Sequence, residues 1–218
     1  MILLNAIYFK GIWLKEFPEN ATLTYNFYNF NDESKVTKRD FMSIREHFNY
    51  YEDKEMQSIE LSYTKDAMAA IIILPKQDIT INDFISNLND EKLQKIIKRM
   101  NNEEVELKLP KFEIEFSSLL NDALQKMGMV DAFEPEKADL TGMKDKGDIY
   151  IGKVLQKSYL KVDEKGTEAA SITSVDIQFW SLPKYYNMIV NKPFLFILRN
   201  KKLPQYYDII FMAKIEEL

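Results

Sequence analysis

Glu164-Lys165-Gly166-Thr167-Glu168-Ala169-Ala170-Ser171-Ile172-Thr173-Ser174-Val175-Asp176-Ile177-Gln178-Phe179-Trp180-Ser181-Leu182-Pro183 lies between two β-like runs and so takes the position of a connection. Its chemistry is not that of a turn. From Thr167 to Leu182 there is no Gly, Pro or Asn and a single Asp, whereas turns draw on those residues for backbone reasons. It also exceeds the ~12–15 residues beyond which an unstructured connection calls for explanation. Read with period two, Thr167, Ala169, Ser171, Thr173, Val175 and Ile177 share one face, none of them charged. Glu168 and Asp176 fall on the other face, so the first set suits a core and the second suits water. The residues alone leave open an ordinary strand or a surface loop with accidental alternation.

Outward from this stretch, Ile149 to Val162 reads as a long strand before it. Asn187 to Val190, Phe194 to Leu198 and Asp208 to Lys214 read as strands after it. Ile2 to Phe9 is nearly all apolar and reads as a strand buried on both faces; a chain that opens inside such a strand points to something preceding it. Tyr25 to Phe30, Phe48 to Tyr51, Gln57 to Tyr63 and Ala67 to Leu74 suggest short antiparallel strands. Ile81, Phe84, Ile85, Leu88, Leu93, Ile96 and Ile97 then recur at helical spacing, broken into two helices at Asn89-Asp90. Val105 to Phe116 alternates again, with Val105, Leu107 and Leu109 on the apolar face. Ser117 to Met127 reads as a helix capped by Ser and stopped by Gly128, and 131–148 as an irregular connection. The fold class is α+β, with mixed multi-strand sheets and a few helices in a single domain over residues 1–218.

Composition narrows the function. With 218 residues, 46% hydrophobic and 29% charged, the chain is long enough for a sizeable core and unlike a disordered one. Net charge is −5 and the Lys and Arg residues are scattered, which argues against a nucleic-acid face and against a heparin site. There is no Cys, hence no disulfide or thiolate site. No stretch reaches ~18 uncharged apolar residues, and the start has no basic lead-in or small-residue cleavage site, so neither a membrane span nor a signal peptide is read here. The compartment stays open between cytoplasmic and secreted.

The run Glu164 to Ala170 resembles the proximal hinge of the reactive loop of serpins, the serine protease inhibitor superfamily. Further similarities occur in the same order: Leu4-Asn5-Ala6-Ile7-Tyr8-Phe9-Lys10-Gly11 with Trp13, Phe48-Asn49-Tyr50-Tyr51, Leu109-Pro110-Lys111-Phe112, Asp131-Ala132-Phe133, Ala138-Asp139-Leu140-Thr141-Gly142 and Asn191-Lys192-Pro193-Phe194. The resemblance covers essentially the whole chain and corresponds to the C-terminal portion of a serpin. It implies that an N-terminal helical region is missing and that this polypeptide alone inhibits poorly, as a truncated product or fragment.

The resemblance further implies a suicide substrate. A serine protease cuts the reactive loop, about residues 164–183, and is trapped as the cut end inserts as a new strand between Ile2 to Phe9 and Ile149 to Val162. The hinge is Glu164, Gly166, Thr167, Glu168, Ala169, Ala170 and Ser171, where Ser171 and Ile172 depart from the commoner all-small pattern. Family spacing puts the reactive bond between Trp180 and Ser181, with Phe179-Trp180 as the competitor. An aromatic residue before the bond suggests a chymotrypsin-like or cathepsin-G-like target. Trp13, Lys111 and Glu164 correspond to the control of loop insertion, the latter two as an ion pair. Asn5 and Gln156 correspond to the mid-sheet gate, where Gln156 replaces the family's usual His.

The residues themselves argue against an enzyme. His47 is the lone histidine and reads as a surface residue, and no Ser/His/Asp arrangement or metal cluster accompanies it. No cofactor is implied. The alternative reading is a non-inhibitory serpin-like binding module.

Overall fold

The computed structural model describes residues 1–9, 11–64, 67–76, 78–143, 149–165, 185–205 and 207–218. In chain order the strands are β1 (Ile2–Phe9), β2 (Leu23–Tyr28), β3 (Val36–Glu52), β4 (Met56–Ser62), β5 (Met68–Pro75), β6 (Asn101–Pro110), β7 (Phe112–Leu119), β8 (Lys153–Val162), β9 (Tyr186–Ile189), β10 (Phe194–Asn200) and β11 (Ile209–Ile215). The helices are α1 (Ile81–Ser86), α2 (Asp90–Arg99) and α3 (Asn121–Lys126). The expected α+β class of mixed sheets with few helices is what the chain adopts. It separates into two compact units, one formed by Met1–Lys10 with Glu113–Lys161 and the other by Gly11–Phe112 with Val162–Leu218.

The larger unit is built on an eight-stranded sheet in the order β11-β10-β5-β4-β3-β6-β9, with β2 also paired to β3. Inside it lies β5, whose Ala69, Ala70, Ile71, Ile72 and Ile73 are all fully buried. A continuous apolar run of this kind needs cover on both faces. On one face, Ile71 and Ile73 join Met56, Leu195 and Ile197 against Phe84 of α1 and Leu93 and Ile96 of α2. The Thr80 hydroxyl accepts the Asp83 N–H, and the Asn89 side chain accepts the Lys92 N–H. These caps satisfy otherwise orphaned donors and start two helices where the periodicity breaks. Phe112 packs edge-on against Phe194 and Phe196, and Phe27 against Phe194.

Two expectations need correction here. Phe48 to Tyr51 is not a short strand but the end of the seventeen-residue β3, which pairs with β2 over Val36–Phe41, β6 over Phe41–Tyr50 and β4 over Asn49–Glu52. Its polar residues, among them Arg39, Glu46 and the exposed His47, disguise its length. His47 sits inside this strand. The alternation after residue 105 is two strands, β6 and β7, since Pro110 ends the first.

The smaller unit has a three-stranded sheet in the order β1-β8-β7. β1 and β8 run parallel, with Cα partners from Ile2 and Lys153 to Phe9 and Leu160. β1 has the expected bounds but not the expected burial. Ile2 is 65% and Leu4 68% exposed, because among the described residues of this unit β1 gains a neighbour, β8, along its edge and no layer over its faces. β8 begins at Lys153 rather than Ile149, because Ile151 spends its N–H on Ala132 outside the ladder. α3 begins at Asn121, and the Ser residues expected to cap it, Ser117 and Ser118, lie in β7. Asn121 instead bonds outward, accepting the Val154 N–H and donating to the Gly152 carbonyl. Gly128, at φ +101, follows the helix where a side chain would be strained.

Candidate loop-anchoring site

The segment Val162 to Lys165 leads out of β8 into residues 166–184, which lie outside the described residues. The hinge positions Gly166 to Ser171 and the expected reactive bond Trp180-Ser181 therefore have no geometry to report. Glu164 does. The segment before it belongs to the larger unit, where the chain around Trp13 and Phe17 holds it through the backbone.

The Trp13 N–H donates to the Lys165 carbonyl at 3.2 Å and the Phe17 N–H to the Glu164 carbonyl at 2.9 Å. The Trp13 indole N–H donates to the Asp163 carbonyl at 2.9 Å. Trp13 is 2% exposed, and its ring stacks on Tyr63 with centroids 4.3 Å apart. A large rigid side chain is thus buried on one side and spends its polar edge on the backbone leading to the loop. Burial also pushes the Tyr63 hydroxyl well above its ordinary value.

Glu164 is buried, and its carboxylate meets Lys111 Nζ at 3.0 Å and accepts the Thr22 hydroxyl at 2.8 Å. Burial pushes its pKa up, but a backbone hydrogen bond and the bonds from Lys111 and Thr22 outweigh it and leave the carboxyl below its ordinary value. Lys111 thus pairs with Glu164, and Trp13 holds the carbonyls on either side of it. A pH test follows. A carboxyl depressed on folding stabilises the folded state above its unfolded value of 4.5 and stops doing so as pH falls through the lower folded value. Glu164→Gln should cost about 1 kcal/mol at pH 7, at the low end because Lys111 is partly exposed. Urea unfolding of both proteins across pH should show that difference shrinking below pH 4.5; a constant difference would place the loss elsewhere.

Asn5 and Gln156 are direct Cα partners in the β1-β8 ladder, and the Gln156 amide donates to Ser158 at 3.3 Å. The strands expected to flank a slot are hydrogen-bonded to each other, so the gate positions face one another across a closed ladder. At the other end of the undescribed stretch, the Arg45 guanidinium lies 3.9 Å from the Tyr185 ring centroid, and Tyr186 packs on Tyr50 at 4.8 Å. β9 adds to β6 in parallel there. Sequence reasoning missed Thr22, Phe17, Arg45 and Tyr185. Only the tertiary fold brings them beside Glu164 or onto one another, and nothing in their local pattern marks them.

Trp13, Phe17, Lys111 and Thr22 thus hold Asp163 to Lys165 by backbone and side chain within the larger unit. A family model described as Serpin (serine protease inhibitor) matches residues 1–218. The chain belongs to the serpin family. It is 34% identical to intracellular coagulation inhibitor 2 of Tachypleus tridentatus, over all of this chain and 53% of that protein. It is also 34% identical to leukocyte elastase inhibitor of Homo sapiens, over 92% of this chain and 54% of that protein. Among solved structures it is similar to the thermophilic serpin tengpin in its native state, with a TM-score of 0.85 and 30% identity, covering all of this chain and 55% of tengpin. The chain spans about half the length of the curated serpins it matches.

Proposed function

We propose that this chain is the loop-bearing part of a serine protease inhibitor that acts as a suicide substrate on a chymotrypsin-like or cathepsin-G-like protease, with 1–218 forming one serpin domain. The observation that supports it most is the anchoring of Asp163 to Lys165 by Trp13, Phe17 and Lys111 at the start of a segment whose sequence alternates like a strand. The protease attacks after Trp180, an acyl-enzyme forms at that carbonyl, and the freed segment from Thr167 to about Phe179 enters between β1 and β8. Entry breaks a parallel ladder of eight residue pairs and replaces it with two ladders, so ladder bonds are gained along with buried apolar surface. Small Thr167, Ala169 and Ala170 favour rapid entry, since a charge there would have to be desolvated first. Asn5 and Gln156 lie in the pairing that must open.

A second reading has its own observation. Ile2, Leu4 and Tyr8 of β1 are exposed, so a sheet opened by the loop has little to back it among the described residues of this unit. In that reading the loop is cut and the protease released. Incubation with chymotrypsin separates the two. The proposal expects an adduct that survives SDS, at the cost of several chains cut per protease trapped, and a cut mapped by mass spectrometry to Trp180-Ser181. Cleaved chain with no adduct at any ratio would refute inhibition by this chain, and efficient one-to-one trapping would refute the influence ascribed to the exposed β1 face.

A further inference from the structure

A cleft of about 230 Å³ opens in the larger unit beside the loop anchor, walled by Trp13, Phe17, Phe48 and Leu61. Each of these four is at most 7% exposed, so the wall is apolar and largely aromatic. Lys15 stands at the rim, held by Glu46 and the His47 carbonyl, with its ammonium 5.5 Å from the Phe48 ring centroid. Glu60 also lines the cleft, and its side chain is only 6% exposed.

The chemistry of Glu60 points to what fits. Among the described residues its carboxylate takes one side-chain hydrogen bond, from Asn49 at 3.1 Å. Arg199 and Lys201 approach at 3.7 and 4.0 Å, close enough to balance its charge but beyond a good hydrogen bond. An ionised carboxylate can accept about four hydrogen bonds, so acceptor capacity remains at a buried position. A second anion is disfavoured by Glu60, and a cation by Lys15, Arg199 and Lys201. We infer that this cleft is a binding site for a small neutral aromatic molecule carrying one hydrogen-bond donor, its ring against Trp13, Phe17 and Phe48 and its donor on Glu60. Such a lining, mostly apolar with a few placed polar groups, is what small-molecule sites share.

The occupant packs against the two residues whose N–H groups hold the Glu164 and Lys165 carbonyls. Binding therefore slows amide exchange at Trp13 and Phe17. The site itself stands independently of protease inhibition.

The test uses the whole chain carrying Trp180→Phe, which leaves Trp13 as its one tryptophan. 4-Methylphenol is titrated with excitation at the red edge of the indole band, and its methyl ether serves as the probe without a donor. Saturable change in Trp13 emission at millimolar or lower concentration is expected for the phenol, and at least fivefold weaker binding for the ether. Glu60→Gln should weaken the phenol about fivefold, as a charge-assisted bond becomes a neutral one. Asn102→Phe, at an exposed lining position, should fill the cleft and abolish binding while circular dichroism stays unchanged. Absence of saturation, or equal affinity in the parent and both variants, would overturn the site.

Discussion

Replacing Asp208 with Ala should lower the unfolding free energy by about 3–5 kcal/mol, the cost of breaking a buried ion pair from one side. Asp208 is 1% exposed and its carboxylate meets Arg199 Nη2 at 2.9 Å, while the Arg199 side chain is 14% exposed. The pair sits where the β10-β11 register shifts, between Leu198 and Arg199, and Arg199 also reaches towards Glu60 of β4. Removing the carboxylate leaves a guanidinium largely out of water with Glu60, at 3.7 Å, as its remaining anion. Removing both charges is different. The double change Arg199→Met with Asp208→Leu should recover part of the loss, since apolar groups of similar volume do not need each other's charge, while Glu60 keeps Lys201 at 4.0 Å as its cation. Urea unfolding followed by tryptophan emission measures both. A loss below about 1 kcal/mol for the single variant, or a double variant as weak as the single, would mean that the pair is not desolvated as its burial implies.

Trp13→Ala should cost a comparable amount, about 3–5 kcal/mol, through lost burial and an enlarged void. The side chain stacks on Tyr63, lines the cleft and donates to the Asp163 carbonyl, so one truncation removes a packing contact and a loop anchor together. Trp13→Phe separates the contributions. It keeps an aromatic face on Tyr63 and should lose only about 1–2 kcal/mol, part of it the indole hydrogen bond. Equilibrium unfolding of the two variants side by side gives the comparison. Equal losses would mean that the ring stack contributes little beyond the hydrogen bond.

What was legible in the sequence follows from how local each signal is. The alternation of Val105, Leu107 and Leu109 needs only its own neighbours, and those residues are buried in β6 as expected. The break at Asn89 could be read because a cap is a contact between residues three apart. β3 was hidden because its partners change along its length, so its pattern of burial follows no single period. Ser117 and Ser118 looked like caps because the same residues serve a strand end as readily as a helix start. The apolar character of β1 records a demand for cover, and says nothing about what supplies it.

The loop anchor divides in the same way. Trp13, Lys111 and Glu164 could be named from a family resemblance; Lys111 meets Glu164, while Trp13 bonds the neighbouring Asp163 and Lys165 carbonyls. Thr22 on Glu164 and Arg45 over Tyr185 join residues 142 and 140 positions apart, and no spacing in a single sequence encodes such a meeting. The Glu60, Arg199 and Asp208 cluster is of the same kind. Charges that look like ordinary surface residues in the sequence are drawn inside by the order of the sheet.

The central claim is that residues 167 to about 179 leave water and become a strand between β1 and β8 once the loop is cut. Amide exchange over those residues, followed by mass spectrometry before and after cleavage at Trp180-Ser181, tests it most directly. The account predicts that cleavage turns these amides into some of the slowest in the smaller unit, as befits a strand hydrogen-bonded on both edges. Exchange that stays as fast after the cut as before it would contradict insertion, and with it the inhibitory mechanism.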